Sequence, residues 1–207
     1  MLLLIKGANV YAPEPLGLKD ILIAGSQIVC LTEPGQFTLT GLKTQEINAS
    51  GKIITPGFID PHVHILGGGG EGGPTTRAPE ILIEDIISSG VTTLIGCLGT
   101  DGTTRHLESL LAKARALDIE GVTTFIFSGS YELPLITLTG SIRRDIVLID
   151  KVIGAGEVAI SDHRSSQPTF EELARLVADC RVGGMLAGKA GILHCHLGDG
   201  PARLELL

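Results

Sequence analysis

The nine residues Pro56-Gly57-Phe58-Ile59-Asp60-Pro61-His62-Val63-His64 govern how the rest of the chain is read. Successive side chains along a β-strand point to opposite faces, so His62 and His64 share one face, two steps apart. Two imidazoles placed in this way can grip one metal ion, and neutral imidazole is the commonest protein ligand for zinc. A catalytic zinc site keeps a position open for water, whose pKa it lowers toward neutrality. The bland alternative for any H-x-H triplet is a pair of histidines hydrogen-bonded at a strand end.

The texture of the sequence changes at this stretch. Before it, residues 2–5, 20–24 and 27–31 are short apolar or β-branched runs separated by turn signals such as Pro13-Glu14-Pro15 and Gly25-Ser26. They read as a small antiparallel β-unit, and residues 36–54 continue in that style. From Pro56 onward, apolar runs alternate with helix-like stretches, the pattern of successive βα units in a parallel sheet. Strands are expected at 57–65, 91–98, 122–127, 157–161 and 191–196, each nearly continuous in apolar residues as buried parallel strands are. Helices are expected at 79–89, 104–118, 141–153 and 169–181. The last of these opens with Pro168-Thr169 followed by Glu171 and Glu172, a cap with acidic residues in its first turn. The domain boundary falls near residue 55. A (β/α)8 barrel needs eight such units and about 250 residues, so a barrel here is incomplete after five strands.

Composition narrows the function. With 43% hydrophobic and 19% charged residues, the 207-residue chain can bury a real core and is not disordered. A formal charge of −7, with the basic residues scattered, argues against nucleic acid or an anionic membrane as partner. No run approaches the roughly 18 apolar residues of a membrane span, and Lys6 cuts the apolar start too early for a signal-peptide core. Cys30, Cys97, Cys180 and Cys195 lie in separate segments without a C-x-x-C pair, which suits a reducing cytoplasm.

The PGFID-x-HVH phrase at the end of a first barrel strand, after a small β-unit, resembles the signature of the metal-dependent amidohydrolase superfamily, whose members hydrolyse amides and lactams with one or two metals. The next residues, Gly67-Gly68-Gly69-Gly70-Glu71-Gly72-Gly73-Pro74-Thr75-Thr76-Arg77, are similar to the isoaspartyl (β-aspartyl) dipeptidases in particular. Further resemblance runs through Leu98-Gly99-Thr100-Asp101, the segment from Thr104-Arg105-His106 to Lys113, Ile160-Ser161-Asp162-His163-Arg164-Ser165 and His196-Leu197-Gly198-Asp199. It implies an amidohydrolase-type (β/α)8 TIM barrel, truncated after about five strands, over residues 56–207. Residues 1–55 would be the N-terminal part of a small β-sandwich domain.

The same resemblance implies zinc-dependent hydrolysis of β-aspartyl dipeptides by a metal-activated hydroxide, with two Zn2+ in the complete enzyme and a homo-oligomeric assembly. Gly69, Gly70, Glu71 and Thr100 would bind the amino-acid end of the isoaspartyl group. Consecutive glycines let main-chain groups approach a ligand, and Glu71 among them can pair with a substrate ammonium. Arg164 would bind the carboxylate of the leaving residue, a task that suits its bidentate fork. Tyr131 occupies the place of a tyrosine that hydrogen-bonds the scissile carbonyl and steadies the oxyanion. His196 matches the ligand of the fifth strand. His194 faces the same side, but His196 is nearer the C-terminal mouth where barrel sites lie. His106 and His163 match family phrases without matching ligand positions, and both are left out of the site.

One departure concerns the fourth strand. Isoaspartyl dipeptidases commonly carry there a lysine whose carbamate bridges the two metals, and this position holds Glu157. Glutamate offers the same terminal carboxylate on a shorter stem, so Glu157 is the expected bridging ligand beside His62, His64 and His196, and carbamylation falls away. A surface glutamate with the register slipped by one residue is the alternative. Lys151, six residues upstream in a helix-like stretch, is a poor substitute. The resemblance also expects a sixth-strand His with a nearby Arg and an eighth-strand Asp that accepts the proton, and none lies within these 207 residues. Residues 202–207 would begin a further helix. The segment alone is therefore expected to be inactive and poorly soluble. A dihydropyrimidinase-like or D-aminoacylase-like enzyme, or a non-catalytic remnant, are the competing readings.

Overall fold

The computed structural model describes residues 1–207, which form two compact units, Met1–Gly57 and Phe58–Leu207. The first unit is a single sheet of β1 (Leu2–Tyr11), β2 (Pro15–Ala24), β3 (Gln27–Thr32), β4 (Thr44–Asn48) and the short β5 (Ile53–Ile54). Its strands run in the order β3-β2-β1-β4, with β5 also beside β1. β1, β2 and β3 make the expected antiparallel meander, with Leu4 opposite Leu22. The antiparallel style does not continue, because β4 and β5 both pair with β1 in parallel. The connection over residues 33–43 carries the chain back to the start of β1 instead of folding it over in a hairpin, and parallel neighbours need such a crossover. Ala8, Val10, Ile21 and Ala49 form this unit's small core. The buried Asp20 carboxylate accepts the N–H groups of Gly7 and Gly35, each at 2.8 Å, and so ties two bends to the sheet.

The second unit is built on five parallel strands: β6 (Phe58–Val63), β7 (Val91–Gly96), β8 (Thr123–Ser128), β9 (Val152–Ile160) and β10 (Ile192–Leu197). They neighbour one another in chain order, β6 through β10. The helices α1 (Ile83–Ser88), α2 (Leu107–Ile119), α3 (Ile142–Leu148) and α4 (Phe170–Ala187) fall in the four connections. This is the expected (β/α)-barrel succession, five strands long, and it follows the N-terminal sheet unit in the chain. Each helix turns an apolar stripe to the sheet, as in α2, where Leu107, Leu110, Ala114 and Leu117 are the buried positions. They meet Ile65, Leu94, Ile126, Ile146 and Ile160 in one core. β9 is buried along almost its full length, as a central strand covered on both faces should be. No helix is long and apolar enough to cross a membrane.

Several boundaries differ from the sequence expectation. β9 begins at Val152, not Glu157, and α3 accordingly ends at Leu148. Gly154-Ala155-Gly156 looks like a break, yet the strand needs small residues there, since a Cβ on Gly154 would come within 2.2 Å of the Ile192 carbonyl oxygen on β10. The helix expected at 79–89 is shortened to α1, whose N-cap is Leu82. α4 runs on to Ala187 through the buried Gly183 and Gly184, with Gly183 packed against Ile146 of α3. Its start is as read, with a Thr169–Glu172 capping box and Glu171 and Glu172 in the first turn. Residues 201–206 form successive turns in place of a helix. Because all five strands of the second unit are parallel, the segments that follow them emerge on one side, where the candidate site lies.

Candidate metal centre and substrate cleft

His62 lies on β6 and His64 one residue past its end, and the strand alternation turns both rings to one side. Their Nε2 atoms are 3.4 Å apart. Glu157 enters from β9, only 1% exposed, with Oε2 3.3 Å from His62 Nε2 and 3.9 Å from His64 Nε2. Its other oxygen, Oε1, is 2.9 Å from Nδ1 of His196 on β10. The carboxylate thus has two histidines at one oxygen and a third at the other. Neighbouring donors around a tetrahedral ion with ligands at 2.0–2.1 Å are about 3.3 Å apart, which these separations approach. No Lys or Arg pairs with Glu157, so a divalent cation would also neutralise a buried carboxylate that otherwise faces imidazoles and the Cys97 thiol. The donor set fits the metal ligation expected from the sequence.

Three further groups crowd this centre that sequence reading did not place there. His194, on β10, approaches Nδ1 of His62 with its Nε2 at 2.8 Å and stacks on Phe127, ring centroids 4.8 Å apart. Burial, and then the adjoining His62 ring, lower its pKa, so its imidazole is neutral at pH 7. The period of two did put it on the same face as His196, but periodicity could not assign it a partner on β6. Cys97, just past β7, is buried with Sγ 3.6 Å from His64 Nδ1 and 3.9 Å from Glu157 Oε2. Burial pushes its thiol pKa far up, and the Glu157 charge adds to that, so it stays a neutral S–H. Asp162, buried just past β9, sits 3.1 Å from His196 Nε2. Nothing in its spacing marked it.

Beside the histidines opens a cavity of about 230 Å³ lined by His64, Gly69, Glu71, Thr100, Tyr131 and Arg164 among others. Apart from His64, expected as a metal ligand, these are residues singled out as substrate-binding in the sequence, and Gly70 follows Gly69 in the glycine segment. The Tyr131 hydroxyl lies 3.0 Å from His196 Nδ1. Burial first, together with the Glu157 charge, pushes its pKa up to about 12, so the phenol keeps its proton as a hydrogen-bond donor. Thr100 donates its hydroxyl to Glu71 Oε1 at 2.5 Å, and Arg164 Nη1 donates to the same oxygen at 2.9 Å. That hydroxyl, and then the guanidinium, outweigh a small burial penalty and hold the Glu71 carboxyl below the usual range. Arg164 is itself oriented by Asp162, to which Nε and Nη2 donate at 2.9 and 2.7 Å. That fork holds the Asp162 carboxyl well below its ordinary value.

The residues left out of the site lie apart from the cavity. His106 is the exposed N-cap of α2, and His163 is exposed, with Nδ1 3.1 Å from Asp199 Oδ1. Lys151 pairs with Asp118 at 2.7 Å, away from the histidines.

No family model matches the chain. Among curated proteins, it is 27% identical over 166 residues to an adenine deaminase of Halalkalibacterium halodurans, covering 80% of this chain and 22% of that protein. It is 26% identical over 209 residues to a dihydroorotase of Listeria monocytogenes, covering 94% of this chain and 45% of that one. Among solved structures, a β-aspartyl dipeptidase from the thermophilic, keratin-degrading Fervidobacterium islandicum AW-1 superposes with a TM-score of 0.96 at 56% identity, over 100% of this chain and 56% of that one. The same enzyme in complex with a β-Asp-Leu dipeptide gives a TM-score of 0.95 at 56% identity, over 100% of this chain and 53% of that one. A D-hydantoinase from Thermus, at 21% identity and a TM-score of 0.59, shares the fold. The chain spans about half the length of the solved dipeptidase and less than half of the curated relatives. Along its whole length the chain is similar in sequence and fold to a β-aspartyl dipeptidase, of which it spans about half.

Proposed function

We propose that these residues form part of the active site of an enzyme that hydrolyses β-aspartyl dipeptides. The observation that carries this reading is the carboxylate of Glu157 facing His62 and His64 through one oxygen and His196 through the other. His62, His64, Glu157 and His196 would hold two zinc ions, with Glu157 bridging them in place of a carbamylated lysine. When bound, such ions supply Lewis acidity and lower the pKa of water at the site.

The chain's own residues bind and orient the dipeptide. A β-aspartyl dipeptide carries one ammonium and two carboxylates, and the cavity offers Glu71 for the ammonium and Arg164 for the carboxylate of the leaving residue. Without substrate these two satisfy each other at 2.9 Å, so binding exchanges one ion pair for two. Gly69 and Gly70 present main chain to the aspartyl end, and Thr100 adds a hydroxyl. Tyr131 donates its phenolic proton as a hydrogen bond to the scissile carbonyl oxygen, where negative charge develops in the transition state. In this reading an Asp of an eighth strand accepts the proton.

The test is hydrolysis of β-aspartyl-leucine by the full-length, zinc-loaded protein, with α-aspartyl-leucine as control. The β-linked dipeptide should be cleaved and the α-linked one spared. A metal-replete protein that leaves β-aspartyl-leucine intact contradicts the proposal.

A further inference from the structure

The glycine segment that lines the cavity has no regular secondary structure beyond the three-residue 3-10 turn at Pro74–Thr76 and a single bridge between Gly69 and Arg77. It nevertheless holds a demanding conformation. Gly67 and Gly69 have φ of +79° and +66°, and a Cβ on either would fall within 2.5 Å of backbone oxygens of residues 76–79. Backbone bonds close its individual turns, Gly73 N–H to the Gly70 carbonyl at 3.0 Å and Ala78 N–H to the Gly68 carbonyl at 2.9 Å, and side chains from outside tie these turns together.

Arg105 is placed to do so. It sits one residue before the N-cap of α2 and is only 6% exposed, rare for an arginine. Its guanidinium donates to three successive bends of the segment: Nε to the Leu66 carbonyl at 3.3 Å, Nη2 to Gly68 at 2.9 Å and Nη1 to Gly69 at 3.4 Å. Nη1 also donates to Asp101 Oδ2 at 3.2 Å. Asp101 balances the buried charge and reaches further, accepting from Arg77 Nη1 at 2.9 Å at the far end of the same segment. The planar fork therefore grips one end of the glycine loop while its counter-ion holds the other. In a trans peptide the N–H points opposite to the carbonyl, so turning the Gly68 and Gly69 carbonyls toward Arg105 turns the N–H groups of Gly69 and Gly70 away from it.

We infer that Arg105 is a positioning residue for substrate binding: it fixes the peptide planes of Gly68–Glu71, and with them the carboxylate of Glu71, without touching the dipeptide itself. This deepens the proposed function and rests on it for the identity of the ligand. A lysine, a point donor on a flexible stem, cannot span three carbonyls as the guanidinium does. Removing the fork takes the guanidinium from the Leu66 and Gly69 carbonyls and leaves Gly68 with only the Ala78 N–H, at 2.9 Å, so the loop loses the side chain that ties its carbonyls together.

The experiment compares full-length, zinc-loaded wild type with Arg105→Lys and Arg105→Ala, measuring three quantities: hydrogen exchange of residues 66–71, metal content, and KM and kcat for β-aspartyl-leucine. Both variants should exchange faster in that loop, retain their zinc and show KM raised roughly ten- to hundredfold. Millimolar guanidinium should restore part of the Arg105→Ala activity, and methylammonium should not. Unchanged loop exchange, or faster exchange with unaltered KM, overturns the inference. If wild type itself ignores the β-linked dipeptide, the proposed function fails instead, and loop exchange with its guanidinium rescue still decides for or against the clamp. Should Arg105→Ala not fold, Arg105→Lys carries the same three readouts.

Discussion

The histidine–carboxylate half of the cleft and the glycine-loop half are held in place by different physics. His62, His64, Glu157 and His196 stand on or next to three strands of one parallel sheet, where the ladder fixes spacing and face. Gly67–Arg77 stands on nothing regular and is held by side chains reaching across from the loop after β7, chiefly Arg105 and Asp101. A sheet-borne site fails by losing a ligand. A loop-borne site fails by losing its shape, with every ligand still present.

The largest effect that sharpens this contrast comes from Tyr131, which belongs to neither half. Its hydroxyl is 3.0 Å from His196 yet carries the proton that would meet the oxyanion. In the full-length enzyme, Tyr131→Phe should lower kcat by about two to three orders of magnitude, with zinc content and loop exchange unchanged. Steady-state kinetics beside elemental analysis checks this. Loss of zinc in the variant would mean that the phenol serves the metal half and not the chemistry.

A smaller effect is expected at Asp101. Burial works to raise its pKa, but the Thr104 hydroxyl and N–H and the Arg77 guanidinium outweigh that and hold the carboxyl well below its ordinary value. A carboxylate with a depressed folded-state pKa stabilises fully above the unfolded value, about 3.9, and loses that contribution as pH falls below it. Asp101→Asn should therefore cost about 1–2 kcal/mol near pH 7. The gap in melting temperature from wild type should hold steady down to about pH 5 and shrink below about pH 4. A gap that grows on acidification would contradict the assigned pairing.

The same contrast explains what could be read from the chain before folding. Strand alternation and turn punctuation are local, so the five parallel strands with four helices between them, the shared face of His62 and His64, and the Thr169–Glu172 cap were legible. β9 began earlier than expected because Gly154 answers to the close passage of β10, a partner 38 residues later that local pattern does not reveal. The parallel pairing of β4 with β1 was hidden for the same reason. In the site, strand alternation announced His62 and His64, and the resemblance named Glu157, His196, Glu71, Thr100, Tyr131 and Arg164. Arg105 lay in a quoted phrase without a role, because a buried guanidinium spanning three carbonyls leaves no periodic trace. Cys97 and Asp162 were silent for want of spacing, and only packing sets them against His64 and His196.

The central claim is that the carboxylate of Glu157 joins the two metal positions, and zinc stoichiometry tests it most directly. Full-length wild type should bind two zinc ions and do so without dependence on carbon dioxide, since no lysine has to be carbamylated. Glu157→Ala should lose at least one of the two and bind the other more weakly, as read by elemental analysis and competition with a chelator. A Glu157→Ala protein that still holds two zinc ions with unchanged affinity would contradict the account.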